Sequence, residues 1–192
     1  MRQALKEWSI AIEALKHGET ILLLRKGGIR EANGRFSVPY DRALLYPTYE
    51  HQNPELLKLP YSNQVQTVES GWHPETITVS AIADITHVFQ VTDAETVSAL
   101  LPFHIWNDRF VNERLNWKPR SPLYLLLLRV STLAQPHRSA NPDDYRGCRS
   151  WIELAEEVDV DRATPVMSDQ AYDDRVEQIN QILSGKVSIE VR

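Results

Sequence analysis

Apolar residues recur at helical spacing at the start of the chain. The set is Leu5, Trp8, Ile12 and Leu15. A period of 3.6 residues predicts an amphipathic first helix, because such residues share one helix face. Gly18 is placed to end that helix in the left-handed conformation.

Aliphatic and β-branched runs then predict several strands. Residues 20–24 are apolar throughout their middle, which predicts a strand buried on both faces. Asn33-Gly34 predicts a hairpin turn before a second extended run at residues 36–38, and residues 43–46 predict a third strand that ends at Pro47. Residues 76–91 are rich in β-branched side chains and predict either one long, bent strand or two strands.

Capping signals place helices between these strands. Thr48 is predicted to cap a short helix, and residues 62–74 lack apolar periodicity and predict a loop. Thr92 and Glu95 form a capping box for a second helix of this middle region. Asn107 is predicted to cap a further helix.

The last third of the chain carries one strong strand signal and one helix signal. Residues 123–133 predict a central strand, whereas two prolines predict a loop over residues 135–144. Residues 150–154 predict the last strand of the core. Ser168 then caps a periodic helix that Gly185 is placed to end.

Strands in runs with helices grouped between them predict the α+β class. We expect a small mixed or antiparallel β-barrel flanked by helices, with a C-terminal helix appended. The predicted division is a barrel-like domain over residues 1–154, followed by an acidic linker and helix over residues 155–192. That helix is expected to pack on the domain or on a partner, which includes a second copy of the chain.

Composition indicates a globular protein with an uneven charge. Of 192 residues, 42% are hydrophobic and 24% are charged, and five Trp and seven Tyr argue against disorder. The net charge is −5, but residues 25–42 and 106–129 each hold five basic residues against two acidic ones. A single cysteine and the absence of a signal-peptide or membrane-spanning run predict a cytoplasmic protein with no membrane partner.

The turn Arg25-Lys26-Gly27-Gly28 has the composition of an anion site. Two glycines let backbone N–H groups approach a phosphate, and basic side chains, joined by Arg30 and Arg42, neutralise it. The spacing is not that of a P-loop. The alternative is a solvated tight turn.

A polar-aromatic cluster follows the third predicted strand, at Tyr46, Tyr49, Glu50 and His51. It combines stacking rings with a carboxylate and an imidazole, which are the groups of acid–base catalysis. The alternative is a helix cap with the tyrosines packed inward and His51 bonded in the wall.

Two more basic-aromatic clusters lie in the second half of the chain. They are Trp106, Asn107, Arg109, Arg114 and Trp117, and then Tyr145, Arg146, Cys148, Arg149 and Trp151. Guanidinium groups beside indoles offer a surface on which bases stack. The alternative is that the tryptophans anchor a helix while the arginines pair with nearby acids.

Several common chemistries lack their motifs. The chain has no HExxH, GxSxG, GxGxxG or CxxC sequence, and no lysine follows an acidic residue at the spacing of restriction-type nucleases. Asp84 and His87 lie three apart on a predicted strand, so they need not face the same way. We expect no metal and no cofactor.

Four segments carry a resemblance to a bacterial domain-of-unknown-function family, number 1802. They are KEWSIAIEALKHGETILLLRKGGIRE, LLYPTYEHQ, HIWNDRFVNERLNWKPRSPLYLLLLRV and YRGCRSWIEL. The order of elements also resembles that of the PUA-like barrels, in particular the ASCH and EVE groups. That resemblance implies binding of RNA or modified bases in a cleft beside the barrel. The Gly-Lys-Thr of the ASCH pattern is Gly18-Glu19-Thr20 here, so its lysine is absent and only Thr20 and Arg25 match.

Three functions remain open from the sequence. The first is a nucleic-acid or nucleotide-binding module, with the basic residues on phosphate and Tyr46, Tyr49, Trp106 or Trp117 on a base. The second is a hydrolase of nucleotides or nucleic acids that uses Glu50 and His51. The third is an interaction protein whose acidic terminal helix docks on a partner.

Overall fold

The computed structural model describes residues 1–26, 36–119, 121–147, 149–184 and the backbone of 188–190. The eight strands are β1 Gln3–Trp8, β2 Leu22–Arg25, β3 Arg42–Thr48, β4 Thr76–Val91, β5 Leu123–Ala140, β6 Trp151–Glu153, β7 Thr164–Pro165 and β8 Ser188–Glu190. The five α-helices are α1 Ser9–Lys16, α2 Leu59–Ser62, α3 Ala94–Ala99, α4 Asp108–Asn116 and α5 Asp169–Leu183. These elements confirm the α+β class.

One mixed sheet organises the molecule, in the order β2-β5-β4-β3-β1-β6, with β7 beside β5 and β8 beside β4. Strands β1 and β3 are parallel, and the other pairs are antiparallel. The carboxyl ends of β1 and β3 therefore lie at the same edge of the sheet.

The sheet curls until its two edge strands approach each other. Arg25, at the end of β2, bonds to the hydroxyl of Ser150, which directly precedes β6. The indole of Trp151 on β6 donates to the carbonyl of Ser37, and its ring stacks on Phe36 at 6.5 Å. These side-chain contacts and the segment that contains Phe36 and Ser37 thus bridge the gap between β2 and β6. The fold therefore approximates a barrel, but among the described residues no ladder of backbone hydrogen bonds joins these two edge strands.

Leu5 and Trp8, the first two residues of the predicted helical set, lie in strand β1 instead. All four residues from Ala4 to Glu7 are buried, and β1 pairs with β3 on one side and β6 on the other. Backbone pairing on both edges outweighs the helical spacing of Leu5 and Trp8. The helix is confined to Ser9–Lys16, and Gly18 follows it with φ of 67°, as predicted.

Two more expectations of the sequence were wrong. Thr48 ends β3 rather than capping a helix, and a turn with His51 at φ of 65° leads to a short 3-10 helix, Pro54–Leu56. The predicted loop 135–144 is strand as far as Ala140. Pro136 is tolerated there because residues 133–136 face a register shift in β4, between Val79 and Ala81.

The capping predictions hold with one change. Asn107 caps α4 by accepting from the N–H of Phe110 at 3.2 Å, and Ser168 caps α5 in the same way. The cap of α3 is Asp93, which accepts from the N–H of Thr96 at 2.8 Å, rather than the predicted Thr92.

The C-terminal helix α5 packs against the body of the molecule. Tyr172, Ile179 and Leu183 are buried in the main core cluster. Tyr172 bonds to Thr86 on β4, and Arg129 on β5 pairs with Asp169. Among the described residues, no helix has the length and apolar content needed to cross a membrane.

Candidate functional site

A cleft of about 640 Å³ opens where β1, β2 and β3 end. Its floor is formed by these strand ends, and its walls by helix α4 and by the chain between Asn141 and Ser150. The sequence-predicted residues in its lining are Arg25, Lys26, Tyr46, Tyr49, Glu50, His51, Trp106, Trp117, Arg114 and Arg149. Side chains from the basic turn and from all three sequence-predicted clusters therefore meet in one place.

Arg25 is held by the wall of the cleft. Its guanidinium donates to Glu7 Oε2 at 2.7 Å, to the carbonyl of Lys6 at 3.1 Å and to Ser150 Oγ at 2.7 Å. It also lies 5.4 Å over the ring of Phe36. The Arg25 and Glu7 side chains are only 16% and 7% exposed, so this pair joins β2 to β1 in the interior.

Lys26 closes the end of helix α4. Its ammonium donates to two carbonyls of the last turn, that of Arg114 at 2.6 Å and that of Leu115 at 3.0 Å. Burial lowers the pKa of Lys26, and the nearby Arg114 lowers it further. Lys26 thus stabilises the wall while it faces the cleft.

The accessible cations of the cleft are Arg114 and Arg149. Arg114 is half-buried and lies 5.0 Å over the ring of Phe110 on the same helix. Arg149 is exposed and reaches the carbonyl of Asp144 at 3.3 Å. Beside them, Trp117 is 37% exposed, and the ammonium of Lys118 lies 4.7 Å over its ring.

The floor is built from buried polar side chains that satisfy one another. The phenol of Tyr46 donates to Asn141 Oδ1 at 2.9 Å, and Asn141 Nδ2 donates to the carbonyl of Pro74 at 2.9 Å. Burial raises the pKa of Tyr46, so the phenol is neutral at pH 7. Trp106 is buried as well and stacks on Phe110 at 5.0 Å, which makes it a wall residue.

Glu50 stands at the end of the cleft beside β3. Its Oε1 accepts from the N–H of Gly71 at 2.7 Å and lies 3.5 Å from His51 Nε2, while Oε2 lies 3.3 Å from His73 Nε2. The side chains of Glu50 and His73 are 15% and 18% exposed, whereas His51 is 63% exposed. Glu50 therefore anchors the segment that carries His73 to the rim of the cleft.

Other predicted site residues lie outside the cleft lining. Asn107 Nδ2 donates to the carbonyls of Glu55 at 2.8 Å and Leu57 at 3.1 Å, so the whole amide serves the start of α4. Arg109 pairs with Glu55 and Glu113, and Arg42 pairs with Asp84 at 3.2 Å. In the described residues, no group of three or more His, Cys, Asp or Glu side chains is arranged to hold a metal ion.

Comparison with known proteins adds a family to this geometry. A family model described as a domain of unknown function (DUF1802) matches residues 4–178. The chain belongs to this family. No curated protein matches it.

Two solved structures resemble the chain over most of its length. The crystal structure of ASCH from Zymomonas mobilis has a TM-score of 0.45 at 13% identity and covers 91% of this chain and 93% of that one. A point mutant of the same protein has a TM-score of 0.42 at 14% identity and covers 92% and 94%. Both structures are of an ASCH protein, and the order of elements in this chain resembles that of the ASCH group. A sequence identity this low carries no information about the ligand or activity of this chain.

The sequence did not predict three residues that line this cleft. Glu7, His73 and Asn141 carry no local signal, because each contacts its partners only once distant segments come together. Other predictions fall on residues outside the described part of the structure. These are Gly27, Gly28, Arg30, Asn33, Gly34, Cys148 and Gly185.

Proposed function

We propose that the cleft binds a nucleotide or an unpaired segment of nucleic acid. The observation that carries the proposal is the meeting of cationic and aromatic side chains in one cleft of about 640 Å³, a volume typical of small-molecule sites. The module would hold phosphate through its cations and stack a base on its aromatic side chains.

Charge supports an anionic ligand. The lining holds five cationic side chains, Lys6, Arg25, Lys26, Arg114 and Arg149, against the two carboxylates of Glu7 and Glu50. Three of these cations already bond to the walls of the cleft: Arg25 and Lys26 as described above, and Lys6 through the carbonyls of Tyr145 and Gly147. We expect Arg114, which is half-buried, and Arg149, which is exposed, to contact the phosphate.

Aromatic exposure supports base stacking. Trp117 in the lining is 37% exposed, and Trp72, which meets the cleft residue Tyr49 edge to face at 6.3 Å, is 47% exposed. Base–aromatic stacking contributes roughly 1–3 kcal/mol per base in single-strand binding sites. A folded protein that leaves two indoles exposed beside a cationic cleft has the composition of such a site.

The test is a titration of intrinsic tryptophan fluorescence with mononucleotides and with short single-stranded RNA and DNA, repeated across salt concentrations. We expect binding that weakens with salt, with a slope of about −0.7 per phosphate contact for single strands. Arg114→Gln and Arg149→Gln should each weaken binding, whereas the exposed Arg138→Gln, outside the cleft, should not. Absence of binding, or binding indifferent to salt, refutes the proposal.

Hydrolysis of the bound nucleotide is the second candidate function. It is favoured by the placement of Glu50 between two imidazoles at the cleft, with His51 exposed rather than buried. A carboxylate that orients an imidazole is a common acid–base arrangement. Chromatography of nucleotides incubated with the protein should then show product, and Glu50→Gln should abolish its formation; stable nucleotides throughout would remove this candidate.

A further inference from the structure

Glu50 is a carboxylate in a cleft whose other ionised side chains are mostly cationic. Of the two carboxylates in the lining, Glu7 is paired with Arg25 and buried. Glu50 has ion-pair contacts with His51 and His73, and among the described residues it lies within ion-pair distance of no lysine or arginine. An anion in this position repels phosphate, so a purely phosphate-binding cleft would be weakened by it.

The two oxygens of Glu50 are not equally occupied. An ionised carboxylate offers about four acceptor positions. Oε1 receives the short bond from the N–H of Gly71, at 2.7 Å, and the longer contact with His51. Among the described residues, Oε2 has a contact only with His73, at 3.3 Å, so the carboxylate can accept a further hydrogen bond from a ligand.

An aromatic wall lies next to this acceptor. Tyr49 directly precedes Glu50, lines the cleft and packs edge to face against Trp72. The accessible cations Arg114 and Arg149 belong to other segments, helix α4 and the chain before β6. Because the Glu50 carboxylate repels phosphate and the two guanidinium groups attract it, a nucleotide in this cleft is favoured with its base, rather than its phosphate, beside Glu50.

We propose that Glu50 selects nucleobases that carry an exocyclic amino group by accepting a hydrogen bond from that group. Carboxylates accept from amino groups such as N4 of cytosine, whereas a base with a carbonyl at the same position presents an acceptor to an acceptor. The predicted ligand class is thus adenine or cytosine nucleotides over hypoxanthine or uracil nucleotides. This inference rests on the proposed nucleotide-binding function of the same cleft.

The experiment compares two matched pairs of ligands, AMP with IMP and CMP with UMP, by fluorescence titration at constant salt and pH. The members of each pair differ in having an amino group or a carbonyl at the exocyclic position, and in the adjacent ring nitrogen, which accepts a hydrogen bond in AMP and CMP and donates one in IMP and UMP. A preference of the unmodified protein for IMP and UMP would mean that Glu50 accepts from the ring N–H, and it would refute the inference. In AMP and CMP the amino group donates a hydrogen bond to the Glu50 carboxylate, whereas in IMP and UMP a carbonyl oxygen faces the same carboxylate. We expect this difference to produce a preference of about tenfold or more for AMP and CMP.

The decisive variant is Glu50→Gln. Its single carbonyl oxygen is expected to keep the bond from Gly71, which turns the amide NH2 group toward the position of Oε2. That group donates instead of accepting, so the preference should fall to one or reverse toward IMP and UMP. Glu55→Gln is the matched control, because Glu55 is an exposed carboxylate that does not line the cleft, and it should leave the tenfold preference intact.

The outcomes separate this inference from the function on which it rests. If none of the four nucleotides binds, both the function and the inference fail. If all four bind with equal affinity, the nucleotide site stands and the role of Glu50 is refuted. A preference that survives Glu50→Gln likewise overturns the inference, and retained binding of IMP and UMP by that variant shows that its cleft is folded.

Discussion

Arg25 should contribute more to stability than any exposed ion pair, and Arg25→Met tests this. The substitution keeps an unbranched apolar stem but removes the bonds to Glu7, Lys6 and Ser150. It leaves the carboxylate of Glu7 7% exposed and without its guanidinium partner. Removal of one member of a buried pair costs about 3–5 kcal/mol, because the remaining charge is uncompensated.

The assay is urea denaturation, compared with Arg42→Met as a matched control. Arg42 and Asp84 form a similar pair, but their side chains are 47% and 48% exposed, so this control should lose less than about 1 kcal/mol. For a chain of this length, each loss of about 3 kcal/mol in the free energy of unfolding lowers the Tm by roughly 6–12 °C, and Arg25→Met should show a decrease of at least this size.

A second variant separates the charge from the packing. Glu7→Gln combined with Arg25→Met leaves no charge in the pair, and the amide oxygen can still accept from the N–H of Trp8. The double variant should therefore recover part of the loss. An Arg25→Met variant as stable as Arg42→Met would refute the reasoning and show that Phe36 and Trp151 hold the sheet edges together without it.

Three further predictions concern His104, Asn107 and α5. Burial, with a smaller effect of Lys58, lowers the pKa of His104 to about 3, so the unfolded chain takes up a proton below its ordinary pKa while the folded chain does not. Stability should fall by about 2–3 kcal/mol between pH 6.5 and 4.5 relative to His104→Phe, and parallel pH curves would contradict this. Asn107→Ala should lose roughly 1–3 kcal/mol in urea denaturation with unchanged nucleotide affinity, since its amide caps α4 outside the cleft. Ile179→Ala should lose about 2–5 kcal/mol in the same assay, because Ile179 is fully buried, and a smaller loss would mean that α5 contributes little to the body.

Local signals predicted the elements whose residues act within one segment. The β-branched run of β4, the Asn107 and Ser168 caps and the left-handed Gly18 each depend on neighbours along the chain. The cluster around Tyr46 to His51 was also visible, because aromatic and ionisable residues are dense there. For such features, propensity and spacing carry the necessary physics.

Strand β1 and the end of β5 could not be predicted in this way. The residues Gln3–Trp8 have helical spacing, yet their pairing with β3 and β6 decides their structure. Residues 135–140 contain Pro136, which normally ends a strand, and the register shift in β4 between Val79 and Ala81 accommodates it. Both cases are set by tertiary pairing, which no window of the sequence contains.

The roles of the basic residues follow from the same difference between local and distant contacts. In the sequence, Arg25 and Lys26 are the strongest phosphate candidates, because they precede two glycines. In the folded chain they bond to Glu7 and to the end of α4, so they build the cleft. Under the proposed nucleotide-binding function, the residues expected to contact the ligand are therefore Arg114 and Arg149, which come from elements far apart in sequence. Substitution of Arg25 should reduce stability first, whereas substitution of Arg149 should reduce affinity alone.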